Sequence, residues 1–132
     1  MSLEVTLSIN GEDRAIVCEA HESLRTVLRR AGYHSVRYGS DTGESGAAGV
    51  LVDGRLVSAD VMLAVQAEGH EIETVEGLAG PGEMHPIQQA FIDTGAMQSG
   101  YSTPAMILAT KELLDRNPNP SEDEARDALS GI

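Results

Sequence analysis

Gly39-Ser40-Asp41-Thr42-Gly43-Glu44-Ser45-Gly46-Ala47-Ala48-Gly49 runs straight into Val50-Leu51-Val52 and then Asp53-Gly54. Four glycines in eleven residues describe backbone that turns tightly and approaches something closely, because glycine alone takes positive φ without a steric penalty. The apolar triplet and the Asp-Gly after it read as a strand entering a tight turn. The stretch therefore predicts a wrapped loop rooted in a sheet.

On its N-terminal side, Leu3-Glu4-Val5-Thr6-Leu7-Ser8-Ile9 alternates apolar and polar residues, the period of a half-buried strand. Asn10-Gly11 supplies a hairpin turn and Ala15-Ile16-Val17 the returning strand. From Ser23 the period lengthens: Leu24, Val27, Leu28 and Ala31 fall on one helical face, with Arg25, Arg29 and Arg30 outside and Gly32 as the terminator. On the C-terminal side, 50–52 and 55–57 form a second hairpin around Asp53-Gly54, and the apolar run 61–65 is ambiguous between a helical turn and a strand. His70-Glu71-Ile72-Glu73-Thr74-Val75 alternates again and reads as a closing strand. Two hairpins, a helix packed across them and a closing strand predict an α+β unit of the β-grasp kind over residues 1–77.

Glycine and proline in 78–83 mark a linker. Residues 84–132 read as helical: Pro86 at N1 of a helix with Ile87, Ala90 and Phe91 on one face and Gly95 closing it, Thr103-Pro104 opening a second helix that stops near Asn117, and Ser121 with Glu124 as the capping box of a third carrying Ala125, Ala128 and Leu129 inward. Three helices with narrow apolar faces make a thin bundle that calls for a fourth helix or a partner.

The whole chain, 132 residues with 41% hydrophobic content, is long enough for a core. Twenty-one acids against 9 bases, a net charge of −12, argue against nucleic acid as a partner. No apolar run has a membrane-spanning length and no leader-like segment opens the chain, so the expected location is the cytoplasm with no membrane partner. A single cysteine, Cys18, excludes an internal disulfide and reads as a small buried hydrophobe. No tandem repeat or low-complexity segment is present.

Common chemistries fit poorly. A phosphate-binding loop needs a lysine, and 39–49 has none. A nucleophile elbow needs Gly-x-Ser-x-Gly, whereas Gly43-Glu44-Ser45-Gly46-Ala47 lacks the last glycine and leads into a strand, leaving a hydrolase based on His34 or His85 weakly supported. His21, His34, His70 and His85 have no metal-ligand spacing, and Asp41, Asp53 and Asp60 do not match a calcium loop.

The ordered motifs nevertheless resemble those of the small iron–sulfur subunit of the molybdenum hydroxylase family, of the xanthine dehydrogenase and carbon monoxide dehydrogenase type. That family carries Gly-Cys-Asp-Thr-Gly-x-Cys-Gly-Ala-Cys, a strand, Val-Asp-Gly and a fourth cysteine before a run like Ala-Val-Gln. Here 39–48 is in register, Val52-Asp53-Gly54 follows, and Ala64-Val65-Gln66 sets the fourth position at Asp60. A second signature is similar to His85-Pro86-Ile87-Gln88-Gln89-Ala90-Phe91 and Gln98-Ser99-Gly100-Tyr101-Ser102-Thr103-Pro104-Ala105, with Thr74-Val75-Glu76-Gly77 shared between them.

The resemblance implies a ferredoxin-like β-grasp domain and a helical domain, each built around one [2Fe–2S] cluster. It implies a subunit that relays electrons from a molybdopterin-binding large subunit to an FAD-binding medium subunit or another acceptor. It also implies that Gln98 lies beside the pterin. The chain departs from the pattern at each cysteine position: Ser40, Ser45, Ala48 and Asp60 at the first site, Ser99 and Ser102 at the second. Leu129-Ser130-Gly131-Ile132 stands just before the family's Cys-Arg-Cys, so the helical part reads as cut short of its last ligands.

Clusters of this type are held by thiolates. The expectation is accordingly that no cofactor resides in this chain, that Ser40, Ser45 and Asp60 cap backbone amides instead, and that the subunit is structural rather than conducting. An ordinary electron-transfer subunit with altered cysteines and a stand-alone β-grasp binding module are the alternatives.

Overall fold

In the computed structural model the described residues are 2–37, 46–78, 83–94 and 103–130. The first hairpin pairs β1 (Ser2–Ile9) with β2 (Glu12–Glu19) along their whole length, Ser2 opposite Glu19 and Ile9 opposite Glu12. Its turn has φ of 53° at Asn10 and 83° at Gly11, the doubly left-handed geometry that matches strand twist in a two-residue hairpin. The second hairpin repeats the device: β3 (Gly49–Val52) and β4 (Arg55–Ser58) flank Asp53 at 51° and Gly54 at 82°.

The closing strand, β5 (Glu71–Glu73), is shorter than the alternation promised and lies in the middle of the sheet. The order is β2-β1-β5-β3-β4, with β5 parallel to β1 and antiparallel to β3. The ambiguous run 61–65 is neither strand nor α-helix; it leads into a 3-10 turn, Ala64–Ala67.

Between the hairpins lies α1 (Leu24–Arg30), whose N-cap, Ser23, accepts from the Thr26 amide at 3.1 Å. Gly32, just beyond its end, has φ of 104°. Leu24, Val27 and Leu28 are fully buried against Leu7, Ile9, Val50 and Ile72, each such side chain contributing about 1.5–3 kcal/mol of apolar burial.

The run Val50-Leu51-Val52 is buried throughout because β3 is covered on both faces. Alternation puts Val50 and Val52 in the core with α1, and Leu51 on the opposite face, where α3 packs.

The helical part comprises α2 (Pro86–Asp93), α3 (Thr103–Arg116) and α4 (Glu122–Leu129). Phe91 is the buried anchor of α2, whereas Ala90, expected on the inner face, is exposed. Ala105, Ile107, Leu108, Ala109 and Leu113 bury α3. The capping box of α4 is as read: Glu124 N donates to Ser121 Oγ at 3.1 Å and Ser121 N to Glu124 Oε1 at 3.0 Å. Gly95, the expected end of α2, lies outside the described residues. Among those residues no helix is long and apolar enough to cross a membrane.

Two polar contacts fasten α3 to the sheet. A Glu112 carboxylate oxygen accepts from the Leu56 amide of β4, and Lys111 Nζ stands 3.6 Å from Glu73 of β5 and 2.6 Å from Asp115.

Candidate functional site

Two segments meet at the start of α1. The glycine-rich stretch enters the described structure as a 3-10 turn, Gly46–Ala48, and passes directly into β3. Facing it is the turn that leaves β4. Ala59 N donates to Ala48 O at 3.1 Å, while Arg25 N donates to Ala59 O at 2.9 Å and Leu24 N to Met62 O at 2.7 Å. The 59–62 turn thus satisfies amides at the helix start that have no partner within the helix.

The side chains of this corner are closed in. Ala48 is fully buried and offers a methyl group. Asp60 has no exposed side-chain surface, and its Oδ1 lies 2.8 Å from Arg25 Nε. Arg25 is therefore not one of the outward arginines its helical spacing implied; it reaches along the helix start to a carboxylate that the sequence could not pair with it.

Of the six positions that the resemblance aligns with cysteines, Ala48 and Asp60 are brought to this one corner, whereas Ser40, Ser45, Ser99 and Ser102, together with Gln98, lie outside the described residues.

The remaining family motifs have local structural work. In His85-Pro86-Ile87-Gln88, Ile87 N donates to His85 Nδ1 at 3.1 Å and His85 N donates to Gln88 Oε1 at 2.9 Å, a reciprocal cap that starts α2 with proline at N1. In Thr74-Val75-Glu76-Gly77, the fully buried Thr74 is held from both sides by Asn10: Thr74 N donates to Asn10 Oδ1 and Asn10 Nδ2 donates to Thr74 Oγ1, each at 2.9 Å.

Gly77 lies so close to that turn that a Cβ on it would stand 2.2 Å from Asn10 Cγ. Glu76 accepts from the Ser35 amide at 3.0 Å and from its hydroxyl. Burial pushes the Glu76 carboxyl up, but the bonds from Ser35 outweigh it and the net shift is downward. The motif ties the first hairpin and the segment after α1 to the exit from β5, roles visible only once Asn10 and Ser35 are seen beside it.

At Val52-Asp53-Gly54, Asp53 Oδ1 accepts from the Glu71 amide at 2.9 Å and Oδ2 contacts His70 Nδ1 at 2.6 Å. The Glu71 amide first, and His70 second, hold the Asp53 carboxyl below its ordinary value. This pair fastens the second hairpin to β5. Among the described residues no group of three or more His, Cys, Asp or Glu side chains is arranged to hold a metal ion.

A mixed sheet of order β2-β1-β5-β3-β4 crossed by α1 and followed by three helices is the ferredoxin-like, β-grasp class of fold. Comparison with known proteins makes the class specific. The model of the [2Fe–2S] binding domain family matches residues 74–132. The chain is 44% identical over 130 residues to the nicotinate dehydrogenase small FeS subunit of Eubacterium barkeri, covering 98% of this chain and 83% of that one.

It is also 35% identical over 130 residues to the nicotine 6-hydroxylase small subunit of Paenarthrobacter nicotinovorans, with 98% and 78% covered. Among solved structures, quinoline 2-oxidoreductase from Pseudomonas putida 86 superposes with a TM-score of 0.95 at 35% identity, covering 98% of this chain and 81% of that one. The chain belongs to the small FeS subunits of the molybdenum hydroxylase family. Two of these relatives are named as small subunits of larger enzymes.

These findings overturn the expectation that no cofactor resides in this chain: a [2Fe–2S] binding-domain match and a relative named as an FeS subunit point to a [2Fe–2S] cofactor. The donor set of the described residues is a separate matter, and it does not fit four-thiolate ligation. Cys18 is buried in β2, its thiol pushed up by burial, and it belongs to the apolar core. Ala48 has no donor atom, and the carboxylate of Asp60 faces Arg25.

Proposed function

We propose that this chain is the small subunit of a molybdenum hydroxylase-type oxidoreductase complex in which its place is structural rather than electron-conducting. The observation that carries this reading is the corner at α1, where two of the family's ligand positions hold a buried methyl group and a carboxylate engaged by arginine. On this reading residues 1–77 form the β-grasp domain, 78–83 a linker and 84–132 the helical domain. The partner is a molybdopterin-binding large subunit, joined in some complexes by an FAD-binding medium subunit, and the complex resides in the cytoplasm. Gln98 is the residue assigned to the pterin of the large subunit.

A second reading, electron transfer through [2Fe–2S] clusters, is favoured by the family-model match and by the names of the relatives. Iron and acid-labile sulfide per chain in the purified complex, with visible spectra before and after dithionite, separate the two. Stoichiometric iron and sulfide in this chain, with a spectrum that bleaches on reduction, would refute the structural role. A chain purified without any pterin-binding partner would instead support a stand-alone β-grasp module. Gln98→Ala is expected to lower the pterin retained by the complex, and unchanged retention removes the contact.

A further inference from the structure

The α1 corner contains a buried carboxylate in a place where apolar side chains dominate. Asp60 sits beside Ala59 and Ala48, both fully buried, and its side chain has no solvent-accessible surface. A carboxylate so placed is costly unless a cation and hydrogen bonds compensate it. Arg25 Nε at 2.8 Å supplies the cation, on a side chain that keeps 23% of its surface exposed. The same two residues are also joined through the backbone: the Arg25 amide donates to Ala59 O, next to Asp60, and Ala59 N donates to Ala48 O.

One chain of contacts therefore runs from the start of α1, through the 59–62 turn, to the last residue of the glycine-rich stretch before β3. We infer that Arg25 and Asp60 form an ionic clasp that holds the 59–62 turn and Ala48 on the start of α1, and so positions the Gly46–Ala48 turn. The inference deepens the structural reading above, since it names what fastens a corner whose donors do not suit thiolate ligation. Iron and sulfide content tests that reading, and energetic coupling between Arg25 and Asp60 tests this one, so the two fail separately.

The pair also differs from two exposed ion pairs on the helices. Arg126 with Glu122 is exposed at both ends, and Lys111 with Asp115 is exposed on the acidic side. Such pairs contribute little, because solvent screens them and two long side chains must be ordered. Removing Arg25 instead takes a cation away from a carboxylate with no exposed side-chain surface.

The test is a double-mutant cycle in the full chain, within its complex where one forms, using Arg25→Met, Asp60→Leu and the double variant. Arg25→Met, which removes the cation 2.8 Å from the Asp60 carboxylate, is expected to lower Tm by about 10 °C. Asp60→Leu should lower it less, because Arg25 can turn to water. The double variant should return to within about 3 °C of the parent, as an apolar pair replaces a buried ion pair at little cost.

Strictly additive losses would overturn the clasp. Should Arg25→Met fail to fold, Arg25→Lys with amide hydrogen exchange serves in its place: exchange at Leu24 and Arg25 should accelerate at least tenfold while amides of the β1–β2 hairpin keep their protection. Uniform acceleration, or none, overturns the inference. A loss of iron from Asp60→Leu, with Arg25→Met unchanged in stability, would mark Asp60 as a metal ligand and overturn it equally.

Discussion

Gly77→Ala isolates the contact between the first hairpin and the exit from β5. The backbone of Gly77 is not left-handed, so alanine is allowed there on conformational grounds, and the substitution would by itself restrict the unfolded chain and stabilise slightly. The cost comes from the neighbour. The added Cβ would stand 2.2 Å from Asn10 Cγ, 2.3 Å from Oδ1 and 2.5 Å from Cβ. Because even the Cβ of Asn10 is within that distance, rotating the end of the side chain does not relieve the overlap; Asn10 must withdraw.

Withdrawal breaks both 2.9 Å bonds to Thr74, a residue with no exposed surface. A stranded buried amide costs about 1–3 kcal/mol and the second bond about 1 kcal/mol, so the loss should be about 3 kcal/mol, or roughly 10 °C in Tm for a chain of this size. Urea and thermal unfolding followed by circular dichroism read the loss directly. Asn10→Gly supplies the control: glycine accepts the φ of 53° at that turn position, and without the side chain Gly77→Ala should cost under about 0.5 kcal/mol. An equal cost of Gly77→Ala in both backgrounds refutes the reasoning, as does a cost below about 1 kcal/mol in the parent.

Two further outcomes are expected. The Glu22 carboxyl is held down from 4.5 to about 2, first by the Arg30 side chain and then by the Glu19 amide, with contacts of 2.7 and 2.9 Å from Arg30 and 2.8 Å from Glu19. A group depressed on folding stabilises above its unfolded value and loses that contribution as pH falls. The stability difference between the parent and Glu22→Gln should therefore shrink as pH is lowered from 4.5 to about 2, and a difference independent of pH in urea titrations contradicts the assignment. Glu112→Ala should uncover the Leu56 amide at the edge of β4 and cost about 1 kcal/mol, with hydrogen exchange at Leu56 accelerating; unchanged exchange there would show that the helix does not guard the strand.

Much of the fold was legible because its signals are local. Asn10-Gly11 and Asp53-Gly54 are turn dipeptides whose observed φ values are those the hairpins require, and Ser121 with Glu124 forms the capping box their spacing predicts. What escaped depends on partners distant in sequence. The central place of β5 rests on parallel pairing at Ser8–Glu71 and Ile9–Ile72, which no periodicity encodes. Arg25 has the helical spacing of a solvent-facing residue, and only the tertiary path of the 59–62 turn brings Asp60 to it. Thr74-Val75-Glu76-Gly77 was readable as a family string, but its hydrogen-bonding roles needed Asn10 and Ser35 in place. The cofactor expectation went wrong for a different reason. It weighed the donor atoms at single positions, whereas the [2Fe–2S] binding-domain match over 74–132 and a relative named as an FeS subunit point to that cofactor.

The position of α3 links the two family signatures in one piece of packing. The glycine-rich stretch delivers its last residues, Ala47 and Ala48, to the start of β3, and the second signature delivers Thr103 and Ala105 to the start of α3; all four side chains are buried. The helix packs on both the Gly46–Ala48 turn and β3. Small side chains at these junctions let the backbones come close, so a change of volume at Ala48 or Ala105 has nowhere to go in a close-packed interior. The roots of both signatures thereby share one rigid contact. Clasping one root through Arg25 and Asp60 helps to set the seat on which α3 rests, and the Glu112 and Lys111 contacts hold the same helix to β4 and β5. The Gly46–Ala48 turn and the start of α3 are thus held in part by Arg25, Lys111 and Glu112, side chains that lie outside both signatures.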